Sequence, residues 1–247
     1  MPLGYAPTVE EVLDHYSETS PFLLAMLRAA GDRTIHYSDW DGIENVVEPI
    51  SGIPELARVL ADRIRDTCPP GLPRDVPPRY PALHAMIGRD IVLEVDHKQH
   101  RKECFERSRP IREFLDRFGA PYLLKYSGNC SAHFVLPEAA WRPLIPDGRY
   151  AELSDRFRRW ALASCGAGVD DSFDNDQHTL RLPYALNERT GLLSLPIRPA
   201  EFETFDPAAA ELGRVIVDDL WFDDSIWAAG REGLRRMLKE ALGDDFD

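Results

Sequence analysis

The sequence predicts an α+β fold. Helical periodicity dominates the first 30 residues, short β-rich runs and helices then follow one another without a regular βαβ repeat, and helical stretches close the chain. A hydrophobic content of 44% with 29% charged residues is that of an ordinary globular domain, so 247 residues suffice for a full core.

Each element has its own signal. Residues 8–30 place Val9, Val12, Leu13, Phe22, Leu23, Met26 and Leu27 at helical spacing, with a break expected near Ser20-Pro21 and an end at Gly31. Thr34–Tyr37 reads as a strand, and Ile53–Ile64 as a helix. Six prolines between Pro69 and Pro81 make 67–82 a connection, because proline ends helices and strand ladders alike. Ile91–Asp96 is a β-branched run ending in acid. Ile111, Phe114, Leu115 and Phe118 mark a helix over about 108–118, ended by Gly119. Strands Tyr122–Tyr126 and Ala132–Leu136 flank a turn at Ser127–Ser131. A helix over 149–163 follows, then extended stretches at Leu180–Pro183 and Leu192–Ile197. Helices at about 207–217 and 225–242 complete the chain.

Composition narrows the function. No apolar run approaches the ~20 residues of a membrane span, and the N-terminus lacks the pattern of a secretion signal, so no membrane partner and a cytoplasmic location are expected. Cys68, Cys104, Cys130 and Cys165 are scattered and read as free thiols of a reducing compartment. The net charge of −13 argues against tight nucleic-acid binding by the body as a whole. Local base does cluster at Lys98, Arg101, Lys102, Arg107, Arg109 and Arg112, and again at Arg156, Arg158 and Arg159.

Three motifs carry chemistry. Glu94 and Asp96 stand two apart on a strand and so share a face, which gives a hard-oxygen site for Mg²⁺ or Mn²⁺; Ile91, Leu93 and Val95 take the opposite, core face. Lys125-Tyr126-Ser127-Gly128-Asn129-Cys130-Ser131-Ala132-His133 joins two strands by a glycine turn that offers N–H groups and a hydroxyl to an anion. Val169-Asp170-Asp171 supplies a further carboxylate, with Asp171, Asp174 and Asp176 as competitors for Asp170, and Arg181 follows with a guanidinium fork suited to phosphate. Taken singly, each motif has a bland reading: a solvated strand face, a hairpin with a half-buried histidine, an acidic loop.

In this order and spacing the motifs resemble those of the archaeo-eukaryotic primase (AEP) superfamily. There a strand with D-x-D or D-x-E is followed by S-G-x-x-x-x-H and by an apolar-Asp motif. A later stretch, Arg-Leu-Pro-Tyr-Ala-Leu-Asn-Glu-Arg-Thr-Gly at 181–191, resembles the family's R-L-P-x-S-L-H-x-K-T-G. The resemblance covers roughly 85–200 and is closer to the small catalytic primase subunits than to the polymerase domains of bacterial end-joining ligases. It implies a single catalytic domain over 1–247, with a core at about 20–220, C-terminal helices within 207–242 and an RRM-like sheet.

It further implies a primase- or polymerase-type nucleotidyltransferase with Glu94, Asp96 and Asp170 holding two Mg²⁺ or Mn²⁺ ions. Lys125, Ser127, Gly128, His133, Arg181, Asn187 and Arg189 would bind the incoming nucleotide. Nucleoside triphosphates and single-stranded or primed DNA are the implied partners, with a helicase or accessory subunit as a plausible partner protein. Competing readings are a nucleotidyltransferase acting on a small molecule or RNA end, and a nucleotide- or nucleic-acid-binding module without turnover. The sequence departs from the family in Glu94 for the first Asp, Asn187 for His, and Asn129-Cys130-Ser131 for a segment often basic and Gly-bearing. It also lacks the Cys-rich knob that many primase subunits insert between the first two motifs.

Overall fold

A computed structural model describes residues 5–29, 35–38, 40, 44–47, 64–66, 68–72, 79–95, 103–166, 168–170, 178–218 and 225–246. The chain is α+β, with antiparallel strand pairs and flanking helices. It forms two compact units, one of Met1–Met86, Tyr126–Asn129 and Thr179–Asp218, the other of Ile87–Lys125, Cys130–His178 and Asp219–Asp247.

The first unit opens with α1 (Val9–Ala29). Its helix runs on through Ser20 and Pro21, where the sequence suggested a break. Apolar contacts lie on both sides of the proline: Val9, Val12 and Tyr16 are buried, and the Phe22 ring meets that of Tyr184 at 4.8 Å. Packing of that stripe outweighs the ~3 kcal/mol that an interior proline costs. Strands β1 (Ile35–Ser38), β2 (Glu44–Val47), β3 (Ala82–Met86) and β7 (Thr179–Arg181) form a sheet in the order β2-β1-β3-β7. The core holds Val9, Val12, Tyr16, Trp40, Leu83 and Leu186. β3 begins at the end of the proline-rich stretch. Its run Ala-Leu-His-Ala-Met has no β-branched residue to announce it. Of the helix expected at Ile53–Ile64, all but Ile64 lies outside the described residues. The helix expected at 207–217 is instead two 3₁₀ turns, Pro207–Ala210 and Leu212–Arg214. Asp206 caps the first turn at Ala208, and Gly213 with Val215-Ile216-Val217 makes a continuous α-helix unfavourable.

Tyr184 has φ 62°, a left-handed conformation rare for a bulky residue. Its N–H donates to Ser194 O at 2.7 Å, its hydroxyl bonds Asp218 Oδ1 at 3.0 Å, and its carbonyl lies 2.9 Å from His15 Nε2. Burial pushes His15 down from 6.5 to about 4, partly offset by that carbonyl contact. His15 is therefore neutral in both states above pH ~6.5, whereas between 6.5 and 4 the unfolded chain takes the proton first. Stability should fall across that window by on the order of 2–3 kcal/mol. Urea melts at pH 7 and pH 4.5 check this, and His15→Gln should flatten the difference. An equally steep loss in the variant would assign it to other groups.

In the second unit β4 (Ile91–Leu93), β6 (Ala132–Leu136) and β5 (Leu123–Tyr126, its last residue counted with the first unit) are neighbours in the order β4-β6-β5. Helices α2 (Cys104–Arg107), α3 (Arg109–Phe118), α4 (Glu138–Trp141), α5 (Tyr150–Ser164) and α6 (Ser225–Leu242) accompany them. Gly119 ends α3 at φ 60°, and Ile111, Phe114, Leu115 and Phe118 are its buried stripe. β4 is covered on both faces, because Val92 and Glu94 are buried as well as Ile91, Leu93 and Val95. No helix among the described residues is long and apolar enough to cross a membrane.

Candidate functional site

The second unit gathers residues from all three motifs at the end of β4. In the antiparallel register of β4 and β6, Ile91 faces Leu136, Val92 faces Val135 and Leu93 faces Phe134. One further step sets Glu94 opposite His133, on the face shared by Val92 and Val135. The side chains meet accordingly: His133 Nε2 contacts Glu94 Oε2. Both are well buried, at 7% and 6% exposure, and a buried carboxylate is costly unless it is paired. The backbone N–H of Asp170 donates to Glu94 O at 2.9 Å, which docks the third motif directly onto the first. Lys125 is fully buried on β5, beside β6. Asp96 lies outside the described residues, as do Asp171, Asp174 and Asp176.

Glu94 and Asp170 both bear carboxylates, the hard donors that suit Mg²⁺ or Mn²⁺, and the Asp170–Glu94 backbone bond keeps the two residues adjacent. The donor chemistry therefore fits a divalent ion. Among the described residues no group of three His, Cys, Asp or Glu is gathered for one.

The first unit joins the Ser127 turn to the 181–191 stretch. Gly128 has φ 80°, and a Cβ there would lie 2.8 Å from Leu192 O and 2.9 Å from Asn187 Cβ, so only glycine permits this approach. The Thr190 hydroxyl donates to Gly128 O. Arg181 Nη1 donates to Ser127 O at 2.9 Å, and Nη2 pairs with Glu188 Oε2. The Ser127 hydroxyl accepts the Asn129 N–H at 3.2 Å. Asn187 Oδ1 accepts the Arg189 N–H at 3.0 Å, so this residue builds the turn. The Arg189 side chain is exposed.

Sequence reasoning missed two histidines in this unit. His36 on β1 lies directly opposite His84 on β3, and His84 directly opposite Arg181 on β7. Opposed residues of antiparallel strands share a face, so His36, His84 and Arg181 form one row across the sheet. The alternation around His84, with Leu83 and Ala85 buried and His84 and Met86 partly exposed, was a readable signal. The pairing that aligns the row was not.

No protein-family model matches the chain, and no curated protein matches it. Among solved structures, the chain is similar to the polymerase domain of Ligase D from Mycobacterium tuberculosis, solved in complex with DNA. The TM-score is 0.46 at 16% identity, over 94% of this chain and 93% of that one.

Proposed function

We propose that this chain is a metal-dependent nucleotidyltransferase of the primase–polymerase type, adding ribo- or deoxynucleotides to a 3′-hydroxyl with release of pyrophosphate. The observation that carries the reading is the buried Glu94 carboxylate at the end of β4, with His133 across the sheet and Asp170 docked on its backbone. A strand-end carboxylate merely solvated has no need of that arrangement.

In this reading Glu94, Asp96 and Asp170 hold two divalent ions. When bound, such ions supply charge stabilisation to the attacking and leaving oxygens. His133 holds the Glu94 carboxylate in orientation and, in this reading, contacts the incoming phosphate. Arg181, Arg189 and Lys125 provide positive charge to the triphosphate. Ser127 and Gly128 contribute through their turn, since the Ser127 hydroxyl already serves the Asn129 amide.

The test is incubation with Mn²⁺ or Mg²⁺, labelled NTPs or dNTPs, and single-stranded DNA with and without a primer. Template-dependent extension or de novo synthesis supports the proposal. Absence of pyrophosphate release under every combination overturns it.

A second reading, transfer to a small molecule or RNA end, is favoured by the net charge of −13. DNA binding separates the two. Arg107 and Arg109 stand at the junction of α2 and α3, Arg107 paired with Glu103 at 3.0 Å on an exposed surface. If DNA follows this segment, reversing both to Glu should weaken its binding at low salt and flatten the salt dependence by about one unit per lost contact. Nucleotide binding should survive. An unchanged slope removes the segment from the DNA path, and a wild-type protein that binds nucleotide but not DNA favours the small substrate.

A further inference from the structure

Arg181 stands in a row across the sheet with His84 and His36. Its side chain is 11% exposed, while the Glu188 carboxylate paired with it is more open at 21%. The fork offers five N–H donors. Nη1 serves Ser127 O and Nη2 serves Glu188, but the buried Nε has no acceptor among the described residues. The arginine is thus held in place, faces an anion and is not saturated. Despite burial, the Arg181 charge holds the Glu188 carboxyl below its usual range, so the carboxylate is charged.

The turn that carries Glu188 is closed by main-chain bonds, to which the carboxylate adds a bond from its own backbone N–H. Its backbone is fixed by Tyr80 N–H to Glu188 O at 3.0 Å, Gly191 N–H to Asn187 O at 3.0 Å and Asn187 N–H to Leu192 O at 2.8 Å. The Glu188 side chain can therefore leave while the turn stays. A carboxylate and a phosphate oxygen present the same acceptor chemistry to a guanidinium, so either can occupy the fork.

We propose that Glu188 is a resident counter-anion on this face: it occupies Arg181 in the free protein, and a polyphosphate group must displace it. The inference rests on the proposed nucleotide-binding role of Arg181 and adds to it a residue that sets affinity. Glu188 weakens phosphate binding by competition and by repulsion, since like charges brought together oppose association.

The test is titration of inorganic tripolyphosphate, without metal or nucleoside, into wild type, Glu188→Gln and Arg181→Gln/Glu188→Gln, with adenosine as a phosphate-free control. Glu188→Gln should bind tripolyphosphate about tenfold more tightly, the effect of ~1.4 kcal/mol. The double variant should lose that gain, and adenosine should not respond. Equal or weaker tripolyphosphate binding by folded Glu188→Gln overturns the proposal, as does a gain that persists without Arg181. If circular dichroism shows Glu188→Gln unfolded, Glu188→Asp, which keeps the charge but shortens its reach, should show a smaller gain. Failure of both variants to fold marks the pair as a structural tie and overturns it too. Transfer activity in a protein whose tripolyphosphate affinity ignores Glu188 sinks this inference alone. A Glu188-dependent site in a protein without transfer activity sinks the proposed function alone.

Discussion

Glu94→Gln should reduce nucleotidyl transfer about a thousandfold, and Asp170→Asn should do the same, because each removes a carboxylate that the proposed chemistry cannot replace. The amide keeps the shape of the carboxylate, and its oxygen still accepts a hydrogen bond from the His133 ring. The melting temperature should therefore move by only a few degrees. Residues that act as one unit are strongly non-additive, so the double variant should be little worse than either single one. Asp96→Ala should give the same loss of transfer with the fold intact. Transfer within tenfold of wild type in Glu94→Gln would remove this residue from the reaction. A cooperative loss of structure would instead mark the Glu94–His133 pair as a device of the fold.

The second large effect concerns stability. Gly233→Val should destabilise the chain by about 3 kcal/mol, because α6 crosses the Gly119–Pro121 segment with backbone against backbone. A Cβ on Gly233 would stand 2.1 Å from Gly119 O and 2.6 Å from Ala120 N, and one on Gly230 would stand 2.4 Å from Pro121 Cδ. No side chain at the Gly233 contact can turn aside, so the helix itself must move off its seat on α3. Urea unfolding should show a lower midpoint at similar slope. Glu232→Ala, on the exposed side of α6, should stay within about 0.5 kcal/mol of wild type. A Gly233→Val protein as stable as wild type would mean that α6 packs elsewhere.

Local chemistry by itself determined much of this protein. The stripe Ile111, Phe114, Leu115 and Phe118 with Gly119 behind it specifies α3 almost to the residue. The spacing over 225–242 does the same for α6. The Ser127–Ser131 turn between two β-rich runs marked β5 and β6. These signals lie within a turn or two of chain, where helical periodicity and glycine geometry act directly. The strand before Glu94 was legible for the same reason, although it ends at Leu93 and so does not itself carry the acids expected on it, and the motif order pointed to nucleotidyl chemistry.

Tertiary structure decided what depends on partners remote in sequence. The strand pairing of β4 with β6 puts His133 on the Glu94 carboxylate, although the sequence had assigned that ring to phosphate alone. Pairing of β1, β3 and β7 aligns His36 and His84 with Arg181, and nothing local to any of the three announces it. Pro21 was absorbed into α1 because packing outweighed a local cost of a few kcal/mol, whereas the 3₁₀ turns that replace the helix expected at 207–217 follow from the Asp206 cap and Gly213. Asn187, expected at the nucleotide, closes the turn through the Arg189 N–H, and Glu188, given no role by the sequence, is set against Arg181. A side chain's local conformation follows from its neighbours in sequence, but the charge it meets is chosen by strand register and turn closure, which only the folded chain brings about.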